Sequence, residues 1–241
     1  MSIALIPRAD DAALSVGTNL AIRDCVLAGQ VCNVGLMACG PALNHAAEVL
    51  QPLADRCAFG VHATTTSEFQ HPRLRPLLAE SMTSALAQTD GSFFPNVVDW
   101  HENVAIGRVI DEVRAQIAEV RLAGFAPVYL DTHMGFHWVP GVEEALVELA
   151  RQEGLIWADD AGRFPKLSPE FLNETSSPTS SPHVLVFHPA YADSDCPSLI
   201  LCGAGKDLLP QRTEEARSLL NGSLASLLRS CGTTYRFDDA V

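Results

Sequence analysis

The sequence predicts an α/β fold built on a mostly parallel sheet, either open or closed into a barrel. Short apolar segments alternate with segments of helical spacing along the 241 residues, and this alternation is typical of parallel sheets. The length is ordinary for one α/β domain, and the hydrophobic fraction of 47% is that of a globular protein. We therefore expect a single domain over residues 1–241.

The first half of the chain contains three predicted strands. "SIALIP" is the first, and a helix follows from Ser15 to Ala28, with Ser15 as its N-cap and Gly29 ending it. "VCNVGLM" predicts a second strand, residues 42–55 a helix and "RCAFGVH" a third strand. A long irregular stretch, rich in Thr, Pro, Ser and His, then covers about residues 63–102.

The second half begins with the clearest amphipathic helix, "NVAIGRVIDEVRAQIAEVRLAG", which ends before Gly124. Its apolar side carries Ile106, Val109, Ile110, Val113 and Ile117. "PVYLDTH" predicts a strand, "GVEEALVELARQEG" a helix and "LIWADD" a strand. "ETSSPTSSP" predicts a mobile loop, "HVLVFHP" a late strand, "RTEEARSLLNGSLASLLRSCG" one or two helices and "TTYRF" a last short strand.

Composition argues against several classes of protein. The formal net charge of −13 is opposite to that of a nucleic-acid binder. The apolar runs are shorter than the roughly 20 residues that span a bilayer, and "MSIALIPRADD" lacks the order of a signal peptide. Seven cysteines without a CxxC pair predict neither a disulfide framework nor a thiolate metal site. We expect a cytoplasmic protein with no nucleic-acid or membrane partner.

Four predicted strands end in acidic or histidine residues. These are Asp10, Asp11, His62, Asp131, His133 and His188. Because the carboxyl ends of parallel strands meet at one edge or mouth, we expect these side chains to lie together. One carboxylate with two imidazoles suits a divalent metal, a second carboxylate can act as a base, and a further histidine can act as an acid.

Each of these residues also has a simpler interpretation. Asp10 and Asp11 could cap the helix that begins near Ser15, His62 could be a hydrogen-bonded core histidine, and His188 could belong to a turn. Asp131 and His133 could form a local pair. The aromatic residues beside His137, Phe136 and Trp138, fit packing and substrate stacking equally well. The coincidence of four strand ends favours a shared site.

Short motifs in a fixed order carry a resemblance to a known family. They are Ala9-Asp10-Asp11, Gly60-Val61-His62, Asp131-Thr132-His133 and His188-Pro189. Together they resemble the YdjC/ChbG-like carbohydrate deacetylase family, over about residues 3 to 237 and least in 63–102 and 159–182. The family usually continues its two aspartates with Phe-Gly, whereas Ala12-Ala13 stand here.

The resemblance implies a distorted TIM-like (β/α) barrel with parallel strands. It implies a metal-dependent hydrolase that removes N-acetyl groups from an amino sugar or short chitin-type oligosaccharide, and it leaves a homodimer open. One divalent ion, Mg or Zn, would be held by Asp11, His62 and His133. Asp10 would be the base and His188 the acid.

Three further roles belong to the same hypothesis. Asp131 would orient a metal ligand, and Phe136 and Trp138 would stack on the sugar. Two alternatives remain open: a catalytically inactive metal- or sugar-binding member of the family, and an iron-dependent oxygenase with a two-histidine, one-carboxylate site. The second alternative usually has an all-β scaffold, which the alternation of helices and strands argues against.

Overall fold

The computed structural model describes residues 4–100, 104–167, 182–231 and 233–239. Within these ranges six parallel strands form one sheet in the order β5-β4-β3-β2-β1-β6. The strands are β1 (Leu5–Ala12), β2 (Asn33–Leu36), β3 (Ala58–Ala63), β4 (Tyr129–Thr132), β5 (Ile156–Trp157) and β6 (His183–Phe187). The sheet curls into a half-barrel with helices around it, which confirms the predicted distorted TIM-like α/β fold.

The helices are α1 (Val16–Leu27), α2 (Leu43–Leu50), α3 (Glu80–Thr83), α4 (Ile106–Leu122), α5 (Val142–Glu153), α6 (Leu209–Asn221) and α7 (Ser223–Cys231). Helices α1 to α5 lie between successive parallel strands, whereas α6 and α7 follow the last strand, β6. Short 3₁₀ segments lie at Gln51–Leu53, Val97–Asp99, His133–Trp138 and Phe237–Asp239. None of the helices in the described ranges is long and apolar enough to cross a membrane.

Most predicted elements are present in the described residues, and two of them differ in extent. The predicted helix over 42–55 is α-helical only to Leu50 and continues as a 3₁₀ turn, because Pro52 has no N–H to donate. "TTYRF" forms only a bridge between Thr234 and Leu5, followed by a 3₁₀ turn. The predicted loop "ETSSPTSSP" lies outside the described residues.

Strand β1, which lies between β2 and β6, is longer than predicted and contains a bulge. It pairs regularly with β6, from Leu5 opposite His183 to Ala9 opposite Phe187. Against β2 its register shifts between Ala9 and Ala12, where the φ of Asp11 is +65°. Such a bulge adds one residue to a strand and redirects its side chains. Aspartate is one of the few non-glycine residues that adopt this conformation readily.

Alternate residues of the strands face the interior of the curled sheet. Toward its amino-terminal end the interior is apolar, with Ile6 and Tyr129 in one buried cluster that Phe237 also joins. Two and four residues beyond Ile6 on β1, the same face carries Arg8 and Asp10, and all three are buried. The larger core packs the other face of the sheet against the helices. The interior therefore becomes polar toward the carboxyl ends of the strands.

Candidate metal centre and cavity

A cavity of about 570 Å³ opens at the carboxyl ends of the strands. Of the residues predicted for the site, six line it: Asp10, Asp11, His62, His133, Trp138 and His188. Residues that the sequence did not single out also line it, among them Arg8, Glu68, Lys166 and Arg212. The convergence of these strand ends is therefore a feature of the folded chain.

Three predicted metal ligands meet at one point of this cavity. Asp11 Oδ1 lies 3.5 Å from His62 Nε2 and 3.3 Å from His133 Nδ1, and the two ring nitrogens are 3.2 Å apart. Ligand atoms about 2.1 Å from a tetrahedral zinc ion are separated by about 3.4 Å. In the described part of the chain Asp11 Oδ1 accepts no hydrogen bond. The spacing and the donor set fit a divalent ion, which would replace the ion-pair contacts of Asp11 Oδ1 with the two rings.

His62 is oriented by a second carboxylate. Its Nδ1 lies 2.7 Å from Asp131 Oδ2, and both side chains are buried. When Nδ1–H donates to this carboxylate, the lone pair of Nε2 points toward Asp11 and His133. A carboxylate behind a ligand histidine fixes its tautomer and raises its basicity, which is the role predicted for Asp131.

His133 has a matching partner that the sequence analysis missed. Its Nε2 lies 2.9 Å from Glu68 Oε1, which leaves Nδ1 facing Asp11. Glu68 belongs to the long segment between β3 and α4, where no sequence pattern distinguishes it from other polar residues. Only the fold brings this segment over the end of β4.

The protonation of the two histidines is governed by these carboxylates. Burial by itself lowers the pKa of each imidazole, but Asp131 and Asp10 raise the pKa of His62 well above its usual value. Glu68 and Asp11 likewise raise the pKa of His133 to about 9. Without a metal ion both rings are therefore imidazolium cations at neutral pH, and an ion that bound here would displace a proton from each ring.

Asp11 is held from the other side by a cation. Arg212 Nη1, on α6, lies 2.7 Å from Asp11 Oδ2. Burial raises the pKa of Asp11, but Arg212 and His133 together hold it well below the usual range. Arg212 was not predicted, because "QRTEEARS" has the composition of an exposed helix surface.

Arg8 holds two further carboxylates in the interior. Its Nη2 lies 2.8 Å from Asp10 Oδ2 and 2.9 Å from Asp131 Oδ2. Burial raises the pKa of Asp10, but Arg8 and then His62 lower it overall, so Asp10 is ionised at neutral pH. A Cβ at residue 35 would lie 2.8 Å from Asp10 Oδ1, so Gly35 leaves room for this oxygen.

His188 and Trp138 lie at other parts of the cavity wall. Burial lowers the pKa of His188, so this imidazole is neutral at neutral pH. Trp138 is 79% exposed, and its ring lies against Gly135, where a Cβ would come within 2.9 Å of it. Phe136, by contrast, is fully buried and packs against Trp100. The prediction that Phe136 stacks on a sugar is therefore wrong, because its ring belongs to the core.

Asp159, a carboxylate that the sequence analysis did not single out, holds the end of β4. Asp159 Oδ2 accepts hydrogen bonds from the backbone N–H and the hydroxyl of Thr132, at 2.9 and 2.7 Å. Its Oδ1 lies 2.8 Å from Lys166 Nζ. Burial raises the pKa of Asp159, but Lys166 and Arg8 lower it to about 2. Asp159 lies at the end of the predicted strand "LIWADD", so the rule that gathered the other strand ends would also have found it.

The fold and the site define an α/β barrel protein with a candidate metal centre at the carboxyl ends of its strands. The sequence model of the family described as YdjC-like protein matches residues 4–176, more than half of the chain. The chain belongs to the YdjC-like protein family.

Two known proteins illustrate the relationship. A carbohydrate deacetylase from Danio rerio is 26% identical over 182 residues, which cover 71% of this chain and 55% of that protein. This chain thus spans little more than half the length of that relative. A solved structure from Enterococcus faecalis V583, described as a candidate cellobiose-phosphate cleavage protein, has a TM-score of 0.81 and 19% identity, with 99% of this chain and 98% of that chain covered. This likeness shows the fold.

Proposed function

We propose that the protein is a metal-dependent hydrolase that removes N-acetyl groups from an amino sugar or a short chitin-type oligosaccharide. Family membership and the name of the Danio rerio relative support the class of reaction. The observation that carries the proposal is the meeting of three ligand atoms within 3.2 to 3.5 Å of one another in an open cavity. An iron oxygenase is not proposed, because the sheet of the described residues is parallel rather than an all-β scaffold.

Asp11, His62 and His133 would hold one divalent ion, Zn or Mg. When bound, such an ion supplies Lewis acidity, which activates water and polarises an amide carbonyl. Asp131 and Glu68 would orient the two imidazoles through the ring nitrogens that face away from the ion. Arg212 would hold the remaining oxygen of Asp11 and so direct Oδ1 into the site.

Asp10 would accept the proton of the attacking water. Its Oδ2 is held by Arg8, whereas its Oδ1 accepts no hydrogen bond in the described part of the chain. The lowered pKa keeps the carboxylate ionised at neutral pH. Its charged neighbours are Arg8 and the Nδ1 side of His62, and asparagine variants distinguish a base from a structural carboxylate.

His188 would return a proton to the leaving amine. Because the imidazole is neutral in the resting site, the proton that Asp10 removes from the water would have to reach His188 before His188 passes it to the amine. The exposed ring of Trp138 would stack against a sugar ring at the mouth of the cavity. A volume of about 570 Å³ leaves room for more than one sugar unit.

Asparagine variants of the adjacent aspartates test the assignment. Asp11→Asn should weaken zinc binding, because a charged ligand is lost. Asp10→Asn should keep the ion but lower acetate release from chitooligosaccharides by roughly 10²- to 10⁴-fold, the usual contribution of a positioned base. Zinc content and acetate release are measured on the same samples. An Asp10→Asn protein with wild-type turnover would show that this carboxylate is structural.

His133→Ala provides a second test, since this side chain lies at a strand end. We expect it to abolish zinc binding while circular dichroism stays unchanged, and full zinc occupancy would contradict the ligand assignment. The alternative, an inactive sugar- or metal-binding family member, predicts zinc binding without acetate release from any acetylated oligosaccharide.

A further inference from the structure

A second group of ligand atoms adjoins the proposed centre. Asp10, His62 and Asp131 are all buried, and each offers one ligand atom within 4.8 Å of the others. His62 belongs to both groups, because it turns Nε2 toward Asp11 and Nδ1 toward Asp131. A histidine with carboxylates at both ring nitrogens is the kind of ligand that can bridge two metal ions.

The guanidinium of Arg8 already lies between the carboxylates of this second group of ligand atoms. Arg8 Nη2 lies within 2.8 and 2.9 Å of the Asp10 and Asp131 oxygens that would face an ion. Arg8 is 1% exposed, so its charge is withdrawn from solvent and compensated by these two carboxylates. Arginine stays charged at every ordinary pH, so the cation is permanent.

We propose that Arg8 serves as a built-in cation that keeps a second divalent ion out and limits the centre to one ion. The inference rests on the proposed metal centre at Asp11, His62 and His133. A second ion would have to remove the guanidinium from two carboxylates and the proton from Nδ1 of His62. Arg8 is thus a positioning residue, which also keeps Asp10 from becoming a metal ligand.

The remaining oxygens of the two carboxylates agree with this role of Arg8. In the described residues the other oxygens of both carboxylates, Oδ1 of Asp10 and Oδ1 of Asp131, accept no hydrogen bond. Removal of the guanidinium would therefore leave two buried carboxylates and an imidazole nitrogen without a cation. Buried carboxylates strongly favour a replacement cation, and zinc binds both of these ligand types.

The experiment counts zinc ions per chain after equilibrium dialysis against excess zinc. We expect one ion in the wild type, one in Arg8→Lys, which retains a cation, and two in Arg8→Met, whose unbranched side chain fills similar space. The double variant Arg8→Met/Asp131→Asn should return to one ion, which would locate the additional ion. With cobalt instead of zinc, Arg8→Met should give the magnetic signature of a coupled pair.

Each other result overturns the inference. Two ions at the shared histidine in the wild type would show that Arg8 excludes nothing, and this measurement does not depend on any variant folding. One ion in folded Arg8→Met would leave the proposed centre intact and refute the role of Arg8. A wild type that binds no zinc would refute the proposed centre and this inference with it.

Discussion

Two non-glycine residues at the end of β1 have positive φ angles. The φ of Asp11 is +65° and that of Ala13 is +79°. Aspartate tolerates this region, whereas alanine there costs about 1–2 kcal/mol. The Ala13 N–H donates to Asn19 Oδ1 at 2.7 Å, and Asn19 Nδ2 donates to the carbonyl of Ala42. The left-handed turn is thus kept without the glycine that the family usually has, and Asn19 holds it in place.

At the same scale, Glu68 should contribute to metal affinity without contacting the ion. Glu68→Ala removes the acceptor at Nε2 of His133, so we expect zinc affinity to fall by about 10- to 100-fold, the usual effect of losing such a partner. Glu68→Gln retains an oxygen and should lose less. Competition with a coloured chelator measures the change, and Glu48→Gln, an exposed change on α2, is the control. Equal affinity in Glu68→Ala and the control would contradict the role.

Among the elements, α4 fixes the segment that carries Glu68. Gln116 accepts a hydrogen bond from the N–H of Thr64 and donates to its carbonyl, at 2.8 and 2.7 Å. Glu112 accepts from the N–H groups of Leu77 and Leu78, and also from Gln116. Both side chains are fully buried. Helix α4 therefore holds the segment at two points on either side of Glu68.

Replacement of this contact should affect stability and metal binding together. Gln116→Leu leaves the backbone groups of Thr64 unpaired, so the free energy of unfolding should fall by about 2–4 kcal/mol. Zinc affinity should also fall, because Glu68 is no longer held. Urea unfolding and zinc titration measure the two effects, with Asp111→Asn on the exposed side of α4 as the control. Lost stability with unchanged zinc affinity would show that Glu68 is positioned by other contacts.

The sequence predicts the helices and strands better than it predicts the residues of the site. Helix α4 and the strands that end in His62 and Asp131 could be predicted, because periodicity and strand-end chemistry are local properties of the sequence. Glu68 and Arg212 could not, because only the packing of distant segments brings them to the site. Arg8 could not be predicted either. Its burial depends on ion pairs with both Asp10 and Asp131, and Asp131 is distant from it in the sequence.

For the whole molecule, the charge cluster predicts a pH dependence of stability in the absence of metal. The pKa of His133 is raised to about 9, so its protonation stabilises the fold fully below its unfolded value near 6.5. This contribution is lost as pH rises through 9. The metal-free protein should therefore lose up to about 3 kcal/mol of unfolding free energy between these limits.

Zinc should reverse this trend, because it binds the deprotonated imidazoles. Stabilisation by zinc should increase over the same pH range, and it reaches about 2.7 kcal/mol when free zinc is 100 times the dissociation constant. Urea unfolding with a chelator and with zinc tests both statements. His133→Ala should show a weaker pH dependence without metal, and a wild type of constant stability from pH 6.5 to 9 would contradict the assignment.

The bulge in β1 determines which deletions the cavity of this protein can tolerate. Between the pairs Ala9–Val34 and Ala12–Leu36, β1 has one residue more than β2. Deleting one residue there would restore an uninterrupted ladder and, by strict alternation, would leave a single acidic side chain facing the cavity. A more regular sheet would thus supply one carboxylate fewer to the cavity. The register of this strand, together with its composition, places two carboxylates there.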